Sequence, residues 1–222
     1  MYFTCEYCGK KLQSEKAMEK HFCEAKKRYL LLKSKVGRSA FFYYSVWRKK
    51  KGFKVVDETT FLNSKFFKSF INFLEFCKDK MIPEREGFIE LMVKKDVSPL
   101  HWCNNFYHEY YMEKFDELYS PMKQVSMSLD YLDKLTNALE CELETVITEI
   151  HPIELIQMVL TRKLSPWLLF FSRSFAKHVN SFDNEQKILI NSIMSPTVWK
   201  NRLTKEKAAV LKIKEITKQL EI

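Results

Sequence analysis

Cys5-Glu6-Tyr7-Cys8, then twelve residues, then His21-Phe22-Cys23: residues 5–23 hold three of the six cysteines of this 222-residue chain beside one of its five histidines. The spacing has a chemical cause. Two cysteines on a tight knuckle present two thiolates to one metal ion. A spacer of twelve suits a short hairpin leading into a helix that carries the third ligand. Leu12 and Met18 fall where such a unit builds its small apolar core. So short a segment cannot fold on burial alone, and a bound metal supplies the missing free energy. Residues 1–28 therefore read as a ββα-like zinc finger with one zinc ion on Cys5, Cys8, His21 and Cys23.

The fourth ligand departs from the commonest pattern. A finger with two cysteines and two histidines ends in His-x3–5-His, but positions 24–27 are Glu, Ala, Lys and Lys. Cys23 is the candidate that remains nearby. Residues two apart on a helix point to nearly opposite sides. Ligation by both His21 and Cys23 therefore requires the helix to end near His21 and the chain to turn back.

Working outward, charge is the next signal. Residues 1–54 hold 15 Lys+Arg against 4 Asp+Glu, a net of +11; residues 55–222 hold 22 against 24, a net of −2. A basic terminal portion on a near-neutral body suggests a polyanionic partner, usually nucleic acid, with DNA favoured over RNA. The candidate contacts are Lys16, Lys20, Lys26, Lys27, Arg28, Arg38, Arg48, Lys49 and Lys50. The base-facing positions of a DNA-reading finger would be Ser14, Lys16, Ala17 and Lys20. None is an Arg, Asn or Gln able to make a bidentate base contact, so phosphate contact without sequence preference is the expectation. Each lysine also has the plain reading of a solvated side chain.

Residues 29–54 read as a basic, aromatic connecting helix, mostly helical over 24–51 but weakened at Gly37. Its run at 41–47 mixes rings with Arg38 and Arg48. Adjacent rings on a helix cannot all face one strand, so core packing outweighs base stacking there. Beyond it, residues 55–222 read as one all-α helical domain. Each of the six prolines can open a helix, and Ser98, Ser120, Ser165 and Ser195 precede four of them as N-caps. The predicted helices cover 59–80, 83–95, 99–119, 121–142, 152–163, 166–179, 184–194 and 196–220, the last with room for a break near Thr204.

Other classes find little support. An apolar leader is not evident, and the strongest apolar run, 167–171, is too short to span a bilayer, so no membrane role is expected. Cys77, Cys103 and Cys141 are widely spaced and read as buried thiols. His101, Asn105 and His108 fall near one helix face with Glu109 and Glu113, which could hold a second metal or serve a nuclease. Histidines among aromatics are more often structural. With no phosphate-binding glycine loop and no nucleophile elbow, the chain does not read as an enzyme.

Several blocks resemble a group of single-zinc-finger proteins of T-even-type tailed bacteriophages. The similar blocks are His21-Phe22-Cys23-Glu24-Ala25-Lys26-Lys27-Arg28 at the finger exit, His101-Trp102-Cys103, Leu164-Ser165-Pro166-Trp167-x-Leu169, and 196–202 with Trp199. The acidic stretch 140–149 departs from that pattern as a lengthened connection. The resemblance implies ligation by Cys23 and a viral protein working in the cytoplasm of an infected bacterial host. The combined expectation is a nucleic-acid-binding accessory protein in phage replication, recombination or transcription. The alternative is an adaptor that docks on a viral or host complex such as RNA polymerase.

Overall fold

The chain begins with a hairpin too short to stand alone. In the computed structural model, which describes residues 2–54 and 56–222, β1 (Phe3–Thr4) pairs antiparallel with β2 (Lys11–Leu12), placing Phe3 opposite Leu12. Met1 and Val55, the first residues of the expected first and third segments, lie outside the described residues. The rest is helical: α1 (Glu15–Lys20), α2 (Glu24–Lys33), α3 (Lys35–Lys50), α4 (Glu58–Leu62), α5 (Phe67–Asp79), α6 (Arg85–Lys94), a 3₁₀ turn at Pro99–His101, α7 (Asn105–Leu118), α8 (Pro121–Leu139), α9 (Leu143–Glu149), α10 (Pro152–Leu160), α11 (Pro166–Leu169), α12 (Arg173–Asn180), α13 (Asn184–Ile193), α14 (Pro196–Lys205) and α15 (Lys207–Gln219). The fold is mostly helical with one small two-stranded sheet among the described residues. No helix among them is long and apolar enough to cross a membrane.

The chain divides into two compact units, Met1–Glu113 and Lys114–Ile222, with the division inside α7. This differs from the expected finger, connector and single helical domain. The reason lies in α3. Its Ala40, Tyr44 and Trp47 are buried, and Tyr44 packs at 4.8 Å on Phe61 and 5.4 Å on Phe70, so the expected connector is part of the first unit's core. That core continues through Phe67, Phe73 and Phe88 to Trp102, whose indole N–H donates to the Val97 carbonyl at 3.0 Å.

Helix ends follow local chemistry. The interruption expected at Gly37 falls instead at Ser34. The Ser34 hydroxyl donates to the Leu31 carbonyl and accepts from the Gly37 amide, so it ends α2 and starts α3. Gly37 instead permits a close approach, because a Cβ there would lie 2.0 Å from the Leu31 carbonyl oxygen. Pro121, Pro152, Pro166 and Pro196 open helices as expected. Pro83 does not, because Glu84 is the cap of α6. Pro99 opens only the 3₁₀ turn, since Trp102 is drawn into the core and Asn104 starts a new helix by accepting from the Phe106 amide. The long helices expected at 59–80 and 166–179 are each broken in two, and the break considered near Thr204 falls at Glu206, between α14 and α15.

In the second unit the core is mainly aliphatic, built on Leu132, Leu155, Val159, Leu164, Leu168 and Ile213, with Trp167, Phe175, Phe182 and Trp199 buried among them. The stretch 140–149, expected as a connection, forms α9 with Val146 and Ile147 buried; Glu140, left-handed at φ 52°, ends α8 ahead of it. A polar thread crosses this core. The Ser165 amide donates to Ser128 Oγ at 2.7 Å, Ser128 Oγ donates to the Gln124 carbonyl, and Gln124 Nε2 reaches Asp116 at 3.3 Å.

Candidate metal centre

Four side chains meet at the N-terminus. One ligand atom each from Cys5, Cys8, His21 and Cys23 lie within 4.8 Å of one another, and this group can hold one metal ion. Each is positioned by a separate backbone device. The knuckle between Cys5 and Cys8 is closed by the Gly9 amide donating to the Cys5 carbonyl at 2.8 Å and the Cys5 amide donating to the Lys10 carbonyl at 2.9 Å. Gly9 sits at φ +70°, which a residue with a side chain rarely adopts. His21 is brought in by α1, whose start is fixed by the Ala17 amide donating to Ser14 Oγ. The helix stops at Lys20, and His21 itself is extended (φ −72°, ψ 114°). That turn-back is what ligation by both His21 and Cys23 requires. Cys23 then caps α2, its sulfur accepting from the Lys26 amide at 3.4 Å.

The donor set fits a tetrahedral ion. With metal–sulfur bonds of about 2.3 Å and metal–nitrogen bonds of about 2.0 Å, tetrahedral edges are about 3.5–3.8 Å. Cys8 Sγ lies 3.3 Å from His21 Nε2, which marks Nε2 as the nitrogen facing the shared position. Cys5 is buried, His21 and Cys23 half-buried, and Cys8 exposed. Burial opposes charge on Cys5, but the amides of Cys8 and Tyr7 and the neighbouring Cys8 and Cys23 thiols prevail and lower its pKa. The Lys10 amide favours the Cys8 thiolate, yet burial and the adjacent Cys23 and Cys5 sulfurs together raise it. Three thiols crowded this way repel as anions, and a cation at the centre relieves that repulsion.

The amide donors were not visible in the sequence, since a backbone N–H has no residue signature; only Gly9 hinted at them. Also unforeseen was the join to α2, where Tyr7 packs on Tyr29 with ring centroids 5.1 Å apart. Beside it opens a cleft of about 560 Å³ whose walls include Glu6, Glu24 and Arg28. Its two carboxylates make it a poor seat for phosphate.

Compared with family models, with curated proteins and with solved structures, the chain matches none.

The candidate cations are placed unevenly. Lys16 and Lys20 are exposed on α1, Lys26 and Lys27 stand in the first turn of α2, and Lys49 is exposed at the end of α3. None of these five has a carboxylate within ion-pair distance among the described residues, although Lys27 lies 5.3 Å over the Phe22 ring. Arg28 is held by the protein: Nη1 donates to the Leu62 carbonyl at 2.8 Å and the Ser64 carbonyl at 3.2 Å. Arg38 donates to the Lys33 carbonyl, Arg48 stacks 3.3 Å over Phe53, and Lys50 pairs with Glu90 at 2.8 Å. In the aromatic run, Tyr44 and Trp47 are buried, Tyr43 is half-buried and Phe42 is exposed.

The second histidine group does not assemble. His101 is exposed in the 3₁₀ turn and His108 is half-buried against Phe76, and the N-terminal group is the one metal-ligand cluster among the described residues. Of the three other cysteines, Cys77 is buried, and that burial pushes its thiol up to about 12. Cys103 is exposed and Cys141 half-buried, which corrects the expectation that all three are buried.

Proposed function

We propose that residues 2–28 form a zinc finger, and that it acts with α2 and α3 as the phosphate-contacting arm of a non-enzymatic nucleic-acid-binding accessory protein. The observation that carries this reading is the set of unpaired cations (Lys16, Lys20, Lys26, Lys27 and Lys49) on and just after the metal-ligand group, within a segment of net +11. Three sulfurs and one imidazole nitrogen in a closed four-ligand set suit zinc and disfavour harder cations such as magnesium or calcium. Bound there, it would hold the knuckle, α1 and the start of α2 in one orientation. Arg28, Arg38, Arg48 and Lys50 then serve the fold first, because each already has a protein partner. In line with the phage resemblance, the setting is an infected bacterial cytoplasm, with DNA the preferred polyanion.

The test is fluorescence anisotropy of the zinc-loaded full chain on duplex DNA across a salt series. Reversing Lys16, Lys20, Lys26 and Lys27 to Glu should weaken all sequences alike and flatten the log–log salt slope by about 0.9 for each phosphate the variant no longer neutralises. Unchanged affinity and slope overturn the reading.

A second reading, a protein adaptor, is favoured by Phe22. This ring lies between two ligands in the sequence and is 58% exposed; Tyr2, just before the hairpin, is 68% exposed. Exposed rings on a rigid metal-held knob suit a docking contact. Capture of a viral or host complex that survives nuclease treatment, and fails with Phe22→Ala, would select it.

A further inference from the structure

The near-neutral charge of the C-terminal unit conceals a second polarity. Residues 114–222 hold 15 Lys+Arg against 14 Asp+Glu, but 196–222 alone hold 7 against 3. Those cations lie on α14 and α15, and two clefts open along these helices. The first, about 710 Å³, is walled by Phe170, Phe171, Arg173, Lys214 and Lys218, with Glu221 its one carboxylate side chain. The second, about 500 Å³, is walled by Phe170, Trp199, Lys200, Leu203 and Lys207 and has no carboxylate. The two share Phe170, so they adjoin at that ring. Among the described residues, Arg173, Lys200, Lys207, Lys214 and Lys218 have no ion-pair partner; Lys214 lies 5.3 Å over the Phe171 ring.

We infer that these adjoining clefts bind single-stranded nucleic acid. A single strand presents a charged backbone and flat, accessible base faces at the same time. A surface that suits it alternates cations with rings. Phe170 and Phe171 are half-buried, held from one side by the core and facing the clefts with the rest. Trp199 is buried 5.0 Å from Phe170 and backs that ring without stacking on a base itself. A duplex hides its base faces and would use only the cations. An acidic peptide would use the same cations but gain nothing from Phe171 that another apolar side chain could not supply.

The test uses the full chain with labelled 20-mers of dT and rU and a duplex of equal length. Arg173→Glu/Lys214→Glu/Lys218→Glu should weaken single-strand binding at least ten-fold at low salt and flatten the slope by about 2, at about 0.7 per phosphate. Lys200→Glu/Lys207→Glu should flatten it by about 1.4. Phe171→Leu keeps apolar volume but removes the ring; it should weaken single-strand binding about five-fold or more, with little change in slope or in duplex binding. Equal response of dT and rU points to backbone and stacking alone, and a preference assigns the 2′-hydroxyl or the thymine methyl; either supports the inference. Single-strand affinity and slope equal to the parent in both charge variants overturn it, and so does a loss of the same size on the duplex. The N-terminal reversal of Lys16, Lys20, Lys26 and Lys27 is measured in parallel. If that reversal has no effect and these variants do, the arm reading falls and this one stands; the opposite result removes this one and keeps the arm.

Discussion

Around Phe70 the first unit packs ring on ring, with Tyr44, Phe61, Phe73 and Trp102 all within 6.5 Å centroid to centroid, whereas the second unit's core is mainly Leu, Ile and Val, with Trp167, Phe175, Phe182 and Trp199 as its fewer rings. Rings gain from edge-to-face geometry as well as burial, so an aromatic core favours specific orientations; an aliphatic core relies on area and fit. Charge divides the same way. The first unit carries 22 Lys+Arg against 14 Asp+Glu and the second 15 against 14. The first adds a metal-ligand group where burial fails, and the second adds a polar thread through its centre. One chain thus stabilises two units of similar length by different means, and each means has its own point of failure.

Chelation should separate them most sharply. Structural zinc contributes about 10–16 kcal/mol of apparent free energy in isolated fingers. Stripping the metal, or Cys5→Ser or His21→Ala, should abolish amide protection over 2–23 and take bound metal from one ion to none. Hydrogen exchange in the Leu168 core should stay as it was. Protection over 2–23 that survives chelation would mean the hairpin is held by its join to α2 instead.

Core truncation comes next. Phe70→Ala should cost about 3–5 kcal/mol and Leu168→Ala about 2–5 kcal/mol. If the units unfold separately, calorimetry shows each substitution lowering a different transition. A single transition lowered equally by both would show that the two cores unfold as one.

The metal group was legible because coordination fixes spacing: Cys5-x2-Cys8-x12-His21 encodes a shape, and the need for a turn at His21 followed from helical geometry. Three of the four Ser-Pro pairs were legible as α-helix starts for the same local reason; Ser98-Pro99 opens only the 3₁₀ turn. The breaks were not. Whether α7 begins at Pro99 or Asn105 depends on Trp102 entering a core made by residues far away in sequence, and no local pattern carries that. The two-unit division was half visible, in the shift from phenylalanines at 66–73 to leucines at 129–139, but composition does not say which helices share a core. The basic C-terminal clefts were hidden by a near-zero sum, since acidic residues over 114–195 offset them.

Each unit also has one ionic feature of intermediate size. In the second, Asp116 accepts from Arg202 Nη1 at 2.8 Å and faces Arg162 at 3.7 Å. Asp116→Ala leaves two partly buried guanidinium groups without their carboxylate and should cost about 1–3 kcal/mol by urea titration. The exposed Lys68–Glu24 pair of the first unit, at 3.3 Å, is screened by solvent and should contribute less. If removing Asp116 costs no more than removing Glu24, the polar thread does not stabilise the second unit.

The smallest effect is set by pH and belongs to the first unit alone. Hydrogen bonds from Lys50, then Lys94, hold the Glu90 carboxyl down at about 2, against an ordinary 4.5. A carboxyl depressed by folding contributes stability that is complete above about pH 4.5 and is lost as pH falls through about 2. The side chain is 45% exposed, so solvent screening limits the contribution to about 0.5–1 kcal/mol. Urea titrations of the parent and Glu90→Gln should therefore differ by that amount near pH 6 and converge toward pH 2, with 1 M salt closing most of the gap. The same substitution frees Lys50 at the end of α3. If the segment after the metal group is a phosphate arm, Glu90→Gln should bind DNA slightly more tightly, about two-fold, while losing stability. A variant that loses both stability and affinity would instead place the Lys50–Glu90 pair among the interactions that hold the arm in shape.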